Sequence, residues 1–242
     1  MTSSDDAQPD WRMYERVVAA IEAENADMDT TVSPNVRIEG TISKVRRQID
    51  VLIEARWPDD RRRRIIVDAK HRGRRIDVKD VESFGGMMED CGAEHGILVA
   101  LNGFTPAAER RAQDRVTLRL LDAEDVEDAM SWAVFEDCVG RCTSRRSKRP
   151  GFVTWDAQPP LGVGGAWAIV WSGKCDVCHQ FHVWCWSCGE VFAVANGRRR
   201  RCGCDFRWVV SPLRGADGKV DEYVLELMTD EGTIELDHIS TR

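Results

Sequence analysis

The feature that most constrains the fold is the alternation of helical and strand-like segments before residue 145. Apolar residues recur at helical spacing from Trp11 to Ile21, which predicts an amphipathic first helix. The segments that follow are strands at 35–42, 48–57 and 63–70, a helix from Asp77 to Gly92, a strand in GILVALNG, a helix at 105–114, a strand in VTLRLLD and a helix from Asp122 to about Cys138. This order favours an α/β sandwich, in which helices flank a mixed sheet.

The second part of the chain has a different character. SRRSKRPG predicts a linker, and tryptophans, glycines and cysteine pairs follow it. Near the end, two β-rich runs surround Asp230-Glu231-Gly232, which predicts a hairpin. We therefore expect a first domain at 1–143, a basic linker at 144–152 and a small β-rich domain at 153–242.

Composition narrows the class of protein. With 43% hydrophobic residues the chain can build a core. Its longest apolar run, from Ala166 to Trp171, is far shorter than the roughly 18 residues that span a bilayer. The acidic start MTSSDDAQPD has no apolar signal segment, and nine cysteines without one favour metal ligation over disulfides. We expect a cytoplasmic protein.

The stretch IIVDAKH begins as a buried strand and then turns Asp68 and Lys70 to the same face. In the preceding strand, alternation predicts that Ile49, Val51, Ile53 and Ala55 share one face and that Asp50 lies on the other. If the two strands pair as a hairpin, Asp50 and Asp68 converge. Two buried carboxylates repel, and a divalent cation such as Mg²⁺ removes that penalty. With a lysine beside them, they suit phosphodiester hydrolysis.

The tripeptide Asp-x-Lys is weak evidence by itself, since it occurs three times. Only the copy at Asp68 ends an apolar strand and follows another strand with an interior acid. The copies at Asp77 and Asp217 are typical of a helix start and a turn. A surface ion pair at a strand end is the alternative interpretation of Asp68 and Lys70.

The run RRQIDVLIE…IIVDAKHRGRRIDVKDVESFGGMMEDCGAEHGILVALNGFTPAAERRA resembles the Mrr-like branch of the PD-(D/E)xK restriction-endonuclease superfamily, from Tyr14 to Leu121. The resemblance implies that fold and a Mg²⁺-dependent DNA endonuclease. It also implies roles for particular residues: Asp50 and Asp68 as metal ligands, Lys70 as the residue that activates water, and Glu15 as the acid of the first helix. Glu22 is the alternative acid, and His71 is a neighbour without a role. Gln48 precedes the strand acid and is expected to face the active-site cleft, and Asp68 stands where Glu is common.

Three cysteine pairs dominate the second part: Cys175 with Cys178, Cys185 with Cys188, and Cys202 with Cys204. A structural zinc ion takes four thiolates or imidazoles, usually as two close pairs. Our first choice is Cys185, Cys188, Cys202 and Cys204, around a ribbon-like knuckle. Cys175 and Cys178 provide half of that site or a second site with His179 or His182. The other cysteines, Cys91, Cys138 and Cys142, are expected to be helix-core or free thiols.

The motif Cys175-x2-Cys178-His179 also fits covalent haem attachment, but that chemistry requires export and no signal is present. The predicted zinc domain is either a scaffold or a DNA-contacting module. The runs at 61–64, 70–75, 145–149 and 198–201 supply cations for phosphate, and the tryptophans near the last run supply stacking faces unless they are buried.

Two classes of function compete. The first is a Mg²⁺-dependent DNA endonuclease of restriction or defence type, with DNA as partner and a homodimer as one possible assembly. The second is a non-catalytic nucleic-acid-binding protein with the same fold, while a repair or RNA-directed nuclease is a third. The intact set of Asp50, Asp68 and Lys70 favours the enzyme.

Overall fold

The computed structural model describes residues 11–57, 63–144, 151–163 and 166–241. Residues 145–150, which are most of the predicted linker, and residues 58–62, between the second and third predicted strands, lie outside the described residues. The elements of the first half are α1 (Trp11–Asn25), β1 (Thr30–Glu39), β2 (Arg46–Ala55), β3 (Arg64–Lys70), α2 (Val78–Cys91), β4 (His95–Ala100), α3 (Pro106–Ala112), β5 (Val116–Leu120) and α4 (Ala123–Trp132). The predicted order of helices and strands is confirmed.

These strands form one mixed sheet in the order β1-β2-β3-β4-β5. The first three pair antiparallel, and β3, β4 and β5 run parallel. The first strand begins at Thr30 rather than at residue 35, and so runs through Pro34. Proline is tolerated there because β1 is the edge strand of this sheet and needs fewer ladder hydrogen bonds.

Helices cover both faces of the sheet. Helices α1 and α4 pack on one face through Tyr14, Val17 and Val126, while α2 and α3 pack on the other through Phe84 and Ala108. Local chemistry sets the ends of α2: Asp77 forms a capping box with Asp80, and Gly92 ends the helix with a φ of 67°. None of the helices in the described ranges is long and apolar enough to span a membrane.

Strand β2 departs from simple alternation at Asp50. Ile49 packs with Leu52 on the α2 face, whereas Val51 and Ile53 pack on the α1 face. The prediction that Ile49 and Val51 share a face is therefore wrong. The change of face occurs where the neighbouring strand β1 has Asn35 in a left-handed conformation, with a φ of 48°. Asparagine tolerates that conformation better than most residues.

Helix α4 ends at Trp132 and does not run to Cys138 as predicted. The chain becomes extended at Ala133 and reaches a two-residue strand, since Glu136 pairs with Val153 across the undescribed segment. The remaining elements are β6 (Glu136–Asp137), α5 (Arg141–Ser144), β7 (Phe152–Ala157), β8 (Leu161–Val163), β9 (Ala166–Ala168), β10 (Val170–Cys175), β11 (Phe181–Cys185), β12 (Val191–Val194), β13 (Arg199–Arg201), β14 (Arg207–Arg214), β15 (Val220–Thr229) and β16 (Gly232–Ser240).

The second half is built from antiparallel sheets. One sheet has the order β12-β11-β10-β7-β6, another has the order β13-β14-β15-β16, and β8 pairs with β9. The predicted terminal hairpin is confirmed, since β15 and β16 pair up to Thr229 and Gly232. The apolar core on the α2 face of the first half continues into this half through residues such as Phe181 and Trp208.

A set of buried charged and polar residues, here the interface network, joins the two halves: Thr31, Glu54, Asp156, Lys174, Asp237 and Ser240. Lys174 Nζ lies 2.6 Å from Asp237 Oδ1 and 3.4 Å from Asp156 Oδ2, and it donates to the Val32 carbonyl at 3.1 Å. Ser240 donates to Glu54 Oε2 at 2.7 Å. Because buried charges are stable only when paired, this network fixes how β1 and β2 meet the second half.

Candidate active site and metal centres

Asp50 and Asp68 meet on neighbouring strands of the mixed sheet. Val51 of β2 pairs with Val67 of β3, and extending this register by one residue puts Asp50 opposite Asp68. The Ala69 amide donates to Asp50 Oδ2 at 2.9 Å, which holds this carboxylate against β3. The hairpin therefore brings the two acids together as the sequence predicts.

Lys70 lies on the same side of the strand as Asp68, and its Nζ is 2.7 Å from Asp68 Oδ2. Both are largely buried: the Asp68 side chain is 12% exposed and that of Lys70 24%. One cation therefore faces two carboxylates.

Helix α1 brings a third acid, Glu15, to this pair. Burial, and after it the neighbouring charge of Asp50, raise the pKa of Glu15 to about 8. Burial and the charge of Asp68 together raise the pKa of Asp50 to about 7. Each acid is therefore hard to ionise without an additional cation.

The alternative acid of the helix, Glu22, lies elsewhere. It is buried and paired with Arg119 of β5, so it serves the packing of α1 on the sheet. His71 packs its ring against Tyr14, with the ring centroids 5.5 Å apart. Gln48 lines the same cavity as Asp50.

That cavity, here the cleft, has a volume of about 240 Å³ and opens beside Glu15 and Asp50. Arg12 and Arg37 line it, which places positive charge next to the acids. Its far wall comes from the second half of the chain, through Asp176 and Val177. The cleft therefore combines acids and cations of the first half with a wall from the second.

The acids fit a divalent metal ion. Mg²⁺ is typically held by one or two carboxylates, with water and substrate phosphate as the other ligands. Asp50 and Asp68 provide two hard oxygen donors. Lys70 offsets one negative charge of the pair. A bound cation would also stabilise the ionised form of Asp50, whose pKa is raised by burial and by the charge of Asp68. The described ranges also contain two sets of four cysteines that could each hold a metal ion. Within each set, the sulfur atoms all lie within 4.8 Å of one another.

The second cysteine quartet consists of Cys185, Cys188, Cys202 and Cys204. The Cys185 sulfur is 3.9 Å from those of Cys202 and Cys204. Four sulfurs about 2.3 Å from a central zinc ion would be about 3.8 Å apart, so the spacing suits a tetrahedral site. This is the set that the sequence favours, and the turn after Cys188 has Gly189 at a φ of 75°.

The first cysteine quartet consists of Cys138, Cys142, Cys175 and Cys178. Sulfur distances are 3.6 Å from Cys138 to Cys178 and 3.7 Å from Cys142 to Cys175. This corrects the expectation that Cys138 and Cys142 are isolated helix-core or free thiols. It also corrects the alternative in which a histidine completes the site. A sequence signal was present in the Cys-x3-Cys spacing of the first pair.

The basic runs differ in what they contact. Arg64 is paired with Glu54 at 2.7 Å, and Arg72 and Arg74 are both paired with Asp80. Strand β13, by contrast, is exposed along its whole length at Arg199–Arg201. The runs at 61–62 and 145–149 lie outside the described residues. Of the nearby aromatic residues, Trp208 is buried and Trp186 is 53% exposed.

Comparison with known proteins identifies the first half. The family model Mrr_cat, described as "Restriction endonuclease", matches residues 8–130. A search of the curated proteins finds no significant match. A crystal structure of a protein of unknown function, AF1548, is similar at 15% identity with a TM-score of 0.41, over 58% of this chain and 73% of that chain.

The resemblance inferred from the sequence and the predicted fold class are thereby confirmed: a mixed α/β fold is followed by a β-rich region that carries cysteine clusters able to hold zinc. The family model covers half of the chain and includes Glu15, Asp50, Asp68 and Lys70. The chain belongs to the Mrr_cat family of restriction endonucleases.

Proposed function

We propose that this protein is a Mg²⁺-dependent DNA endonuclease of restriction or defence type, which hydrolyses phosphodiester bonds in the cleft. The observation that carries the proposal is the meeting of Asp50 and Asp68 on adjacent strands with Lys70 Nζ 2.7 Å from Asp68. A surface ion pair would not need a second buried carboxylate, whereas a cation site would.

Each residue has a role that follows from its place. Asp50 and Asp68 would hold the metal ion, and when bound Mg²⁺ polarises the scissile phosphate and stabilises the leaving oxygen. Lys70 orients the attacking water, since its ammonium lies at the rim of the acid pair. Glu15 lies beside Asp50 in the cleft, and burial and the charge of Asp50 raise its pKa, so it suits the role of a general base that takes up a proton.

The cleft also suits the substrate. Arg12 and Arg37 line it and can contact phosphate groups on either side of the bond to be cut. Exposed β13 offers further cations at 199–201, next to the second cysteine quartet. Zinc in that quartet would hold this strand in place as part of the DNA-binding surface.

The test is plasmid cleavage by the purified protein, with modified and unmodified DNA, in Mg²⁺ or in EDTA. Asp68→Ala and Lys70→Ala should each reduce the cleavage rate by at least about a thousandfold, because both act on the reacting phosphate and water. DNA binding by Lys70→Ala should remain measurable.

The chain provides a matched control. Asp217 and Lys219 have the same spacing but lie in a turn, where the Lys219 amide donates to Asp217 Oδ1 at 3.0 Å. Asp217→Ala should therefore cut like the parent. An Asp68→Ala protein that also cuts like the parent would refute the assignment of this site and favour a non-catalytic DNA-binding protein.

A further inference from the structure

The first cysteine quartet forms a buried cluster of its own, between the nuclease half and the β-rich half. In the described part of the chain, the apolar residues of this cluster are the four cysteines. The amides of Val177 and Cys178 donate to Cys175 Sγ at 3.4 Å, and the Gly140 amide donates to Cys138 Sγ at 3.3 Å. Sulfurs that ligate zinc accept hydrogen bonds of this kind, so the backbone around Cys138 and Cys175 suits metal ligation.

The backbone is fitted closely around these sulfurs at Gly151. Its carbonyl accepts from the Cys138 amide at 2.8 Å, which joins the segments on both sides of residues 145–150. A Cβ atom at this position would overlap the Cys175 sulfur. Any larger residue would therefore force the quartet apart.

The knuckle between Cys175 and Cys178 reaches the cleft. Its two central residues, Asp176 and Val177, line the same cavity as Glu15 and Asp50. The sulfurs thus lie directly behind one wall of the proposed active site. No other part of the described second half lines the cleft.

Asp176 joins this knuckle to α1, which carries Glu15, and to β1, which pairs with the strand of Asp50. Its Oδ2 accepts from Arg16 Nε of α1 at 2.8 Å. Its carbonyl oxygen accepts from Asn35 Nδ2 of β1 at 2.6 Å. Its Oδ1 accepts from the Phe152 amide at 2.8 Å, which keeps the carboxylate in place.

Both partners lie next to an acid of the site. Arg16 follows Glu15 on α1 and is 14% exposed, so its ion pair with Asp176 is largely shielded from water. Asn35 lies between the residues that pair with Val51 and Ile49, and so faces Asp50. Its left-handed conformation occurs where β2 changes face, as described above.

We propose that Cys138, Cys142, Cys175 and Cys178 bind a structural zinc ion that holds the wall of the cleft, and that Asp176 is a positioning residue for Glu15 and Asp50. The inference rests on the proposed function for the identity of those acids. The metal would act through the knuckle: it fixes Asp176, and Asp176 fixes Arg16 and Asn35.

Zinc content tests the metal assignment. The parent should carry two zinc ions per chain, and Cys142→Ser and Cys188→Ser should each carry one, measured by elemental analysis of the purified proteins. A parent with one zinc ion, or a Cys142→Ser protein with two, would overturn the assignment.

Mg²⁺ dependence tests the positioning role. Asp176→Ala should keep both zinc ions, because the cysteines are untouched. The variant should need about tenfold more Mg²⁺, or more, than the parent, as for other residues that orient metal ligands. The increase should be seen in the Mg²⁺ concentration that gives half of the thermal stabilisation and in the one that gives half-maximal cleavage. A purely structural role would instead lower the melting temperature and leave the Mg²⁺ titration unchanged.

Asp205 provides the matched control. It follows Cys204 of the second quartet, is 78% exposed and pairs with Arg201 at 3.1 Å, on the surface. Asp205→Ala should titrate with Mg²⁺ like the parent. If Asp176→Ala also titrates with Mg²⁺ like the parent, the positioning role is wrong. This result does not depend on whether Cys142→Ser folds.

The outcomes separate this inference from the proposed function. A parent that is stabilised by Mg²⁺ but cuts no DNA would refute the function and leave the positioning role to be decided by Asp176→Ala. A parent without any stabilisation by Mg²⁺ would overturn the positioning role, since no cation site would exist to be shaped.

Discussion

Asp50 should destabilise the protein in the absence of a metal ion, and Asp50→Asn should relieve this. The pKa of Asp50 is raised from an ordinary value of 3.8 to about 7, first by burial and then by the charge of Asp68. This shift of about three pKa units, at about 1.4 kcal/mol each, corresponds to a destabilisation of the folded protein by about 4 kcal/mol when Asp50 is ionised. Because the cleft is open to water and screens the charge, we expect about half of this, about 2 kcal/mol.

The direction of the pH dependence follows from the pH at which Asp50 ionises in the folded and in the unfolded state. The unfolded chain releases the Asp50 proton near its ordinary pKa of 3.8, and the folded protein releases it only near pH 7. Between these values the folded state binds more protons, so the free energy of unfolding falls as pH rises through this window. The gain in the free energy of unfolding of Asp50→Asn over the parent should therefore be near zero at about pH 4 and complete above about pH 7.

Urea denaturation in EDTA at several pH values measures this gain. Adding Mg²⁺ at about pH 8 should stabilise the parent and have little effect on Asp50→Asn. Asp90→Asn is the contrast, because hydrogen bonds from Ser43 and Arg47 lower the pKa of Asp90 and its loss should destabilise the protein. An Asp50→Asn protein no more stable than the parent at about pH 8 in EDTA would refute the reasoning.

Other substitutions follow from contacts described above. Glu15→Gln should reduce cleavage at least about a hundredfold at unchanged zinc content, whereas Glu22→Gln should lower the melting temperature and preserve the cleavage rate per folded molecule. Lys174→Met should reduce the free energy of unfolding by about 3–5 kcal/mol in urea titrations, since it leaves two buried aspartates unpaired; a loss below about 1 kcal/mol would contradict this. Gly151→Ala should lose one zinc ion, because its Cβ would displace the Cys175 sulfur; two retained zinc ions would contradict the packing.

The parts of the fold that the sequence predicts depend on local chemistry. The ends of α2 follow from the cap at Asp77 and the left-handed Gly92, and the strand at Asp68 follows from its apolar run. The convergence of Asp50 and Asp68 was also predictable, because antiparallel strands that lie so close along the chain have few possible registers.

The remaining features depend on contacts between distant residues. The choice between Glu15 and Glu22 is made by Arg119, which lies 97 positions from Glu22 and pairs with it only in the folded sheet. The change of face at Asp50 coincides with the conformation of Asn35, on a different strand. Cys138 and Cys142 join Cys175 and Cys178 across the segment that composition marks as a linker. Their Cys-x3-Cys spacing marks them as a pair of ligands, but the pair that completes their site lies more than thirty residues away and is set by the fold.

The interface network has a consequence for exchange between related proteins. Three residues of the nuclease half cross the interface. Thr31 hydrogen-bonds with Asp156, Lys174 and Asp237, Glu54 accepts from Ser240, and Arg56 donates to the Leu236 carbonyl at 2.7 Å. In a recombinant that joins this β-rich half to another nuclease half, Lys174 would stay paired with Asp156 and Asp237. Where the other half lacks Thr31 and Arg56, however, the buried polar groups of Lys174, Asp237 and the Leu236 carbonyl would lose the partners that cross the interface, and buried polar groups without partners are destabilising. We expect chimaeras made at the linker to be insoluble unless positions 31, 54 and 56 are transplanted with the β-rich half, and soluble expression of the two sets of chimaeras would decide it. The modularity that the sequence suggests would then be constrained by a few buried side chains, so that the two halves are inherited together.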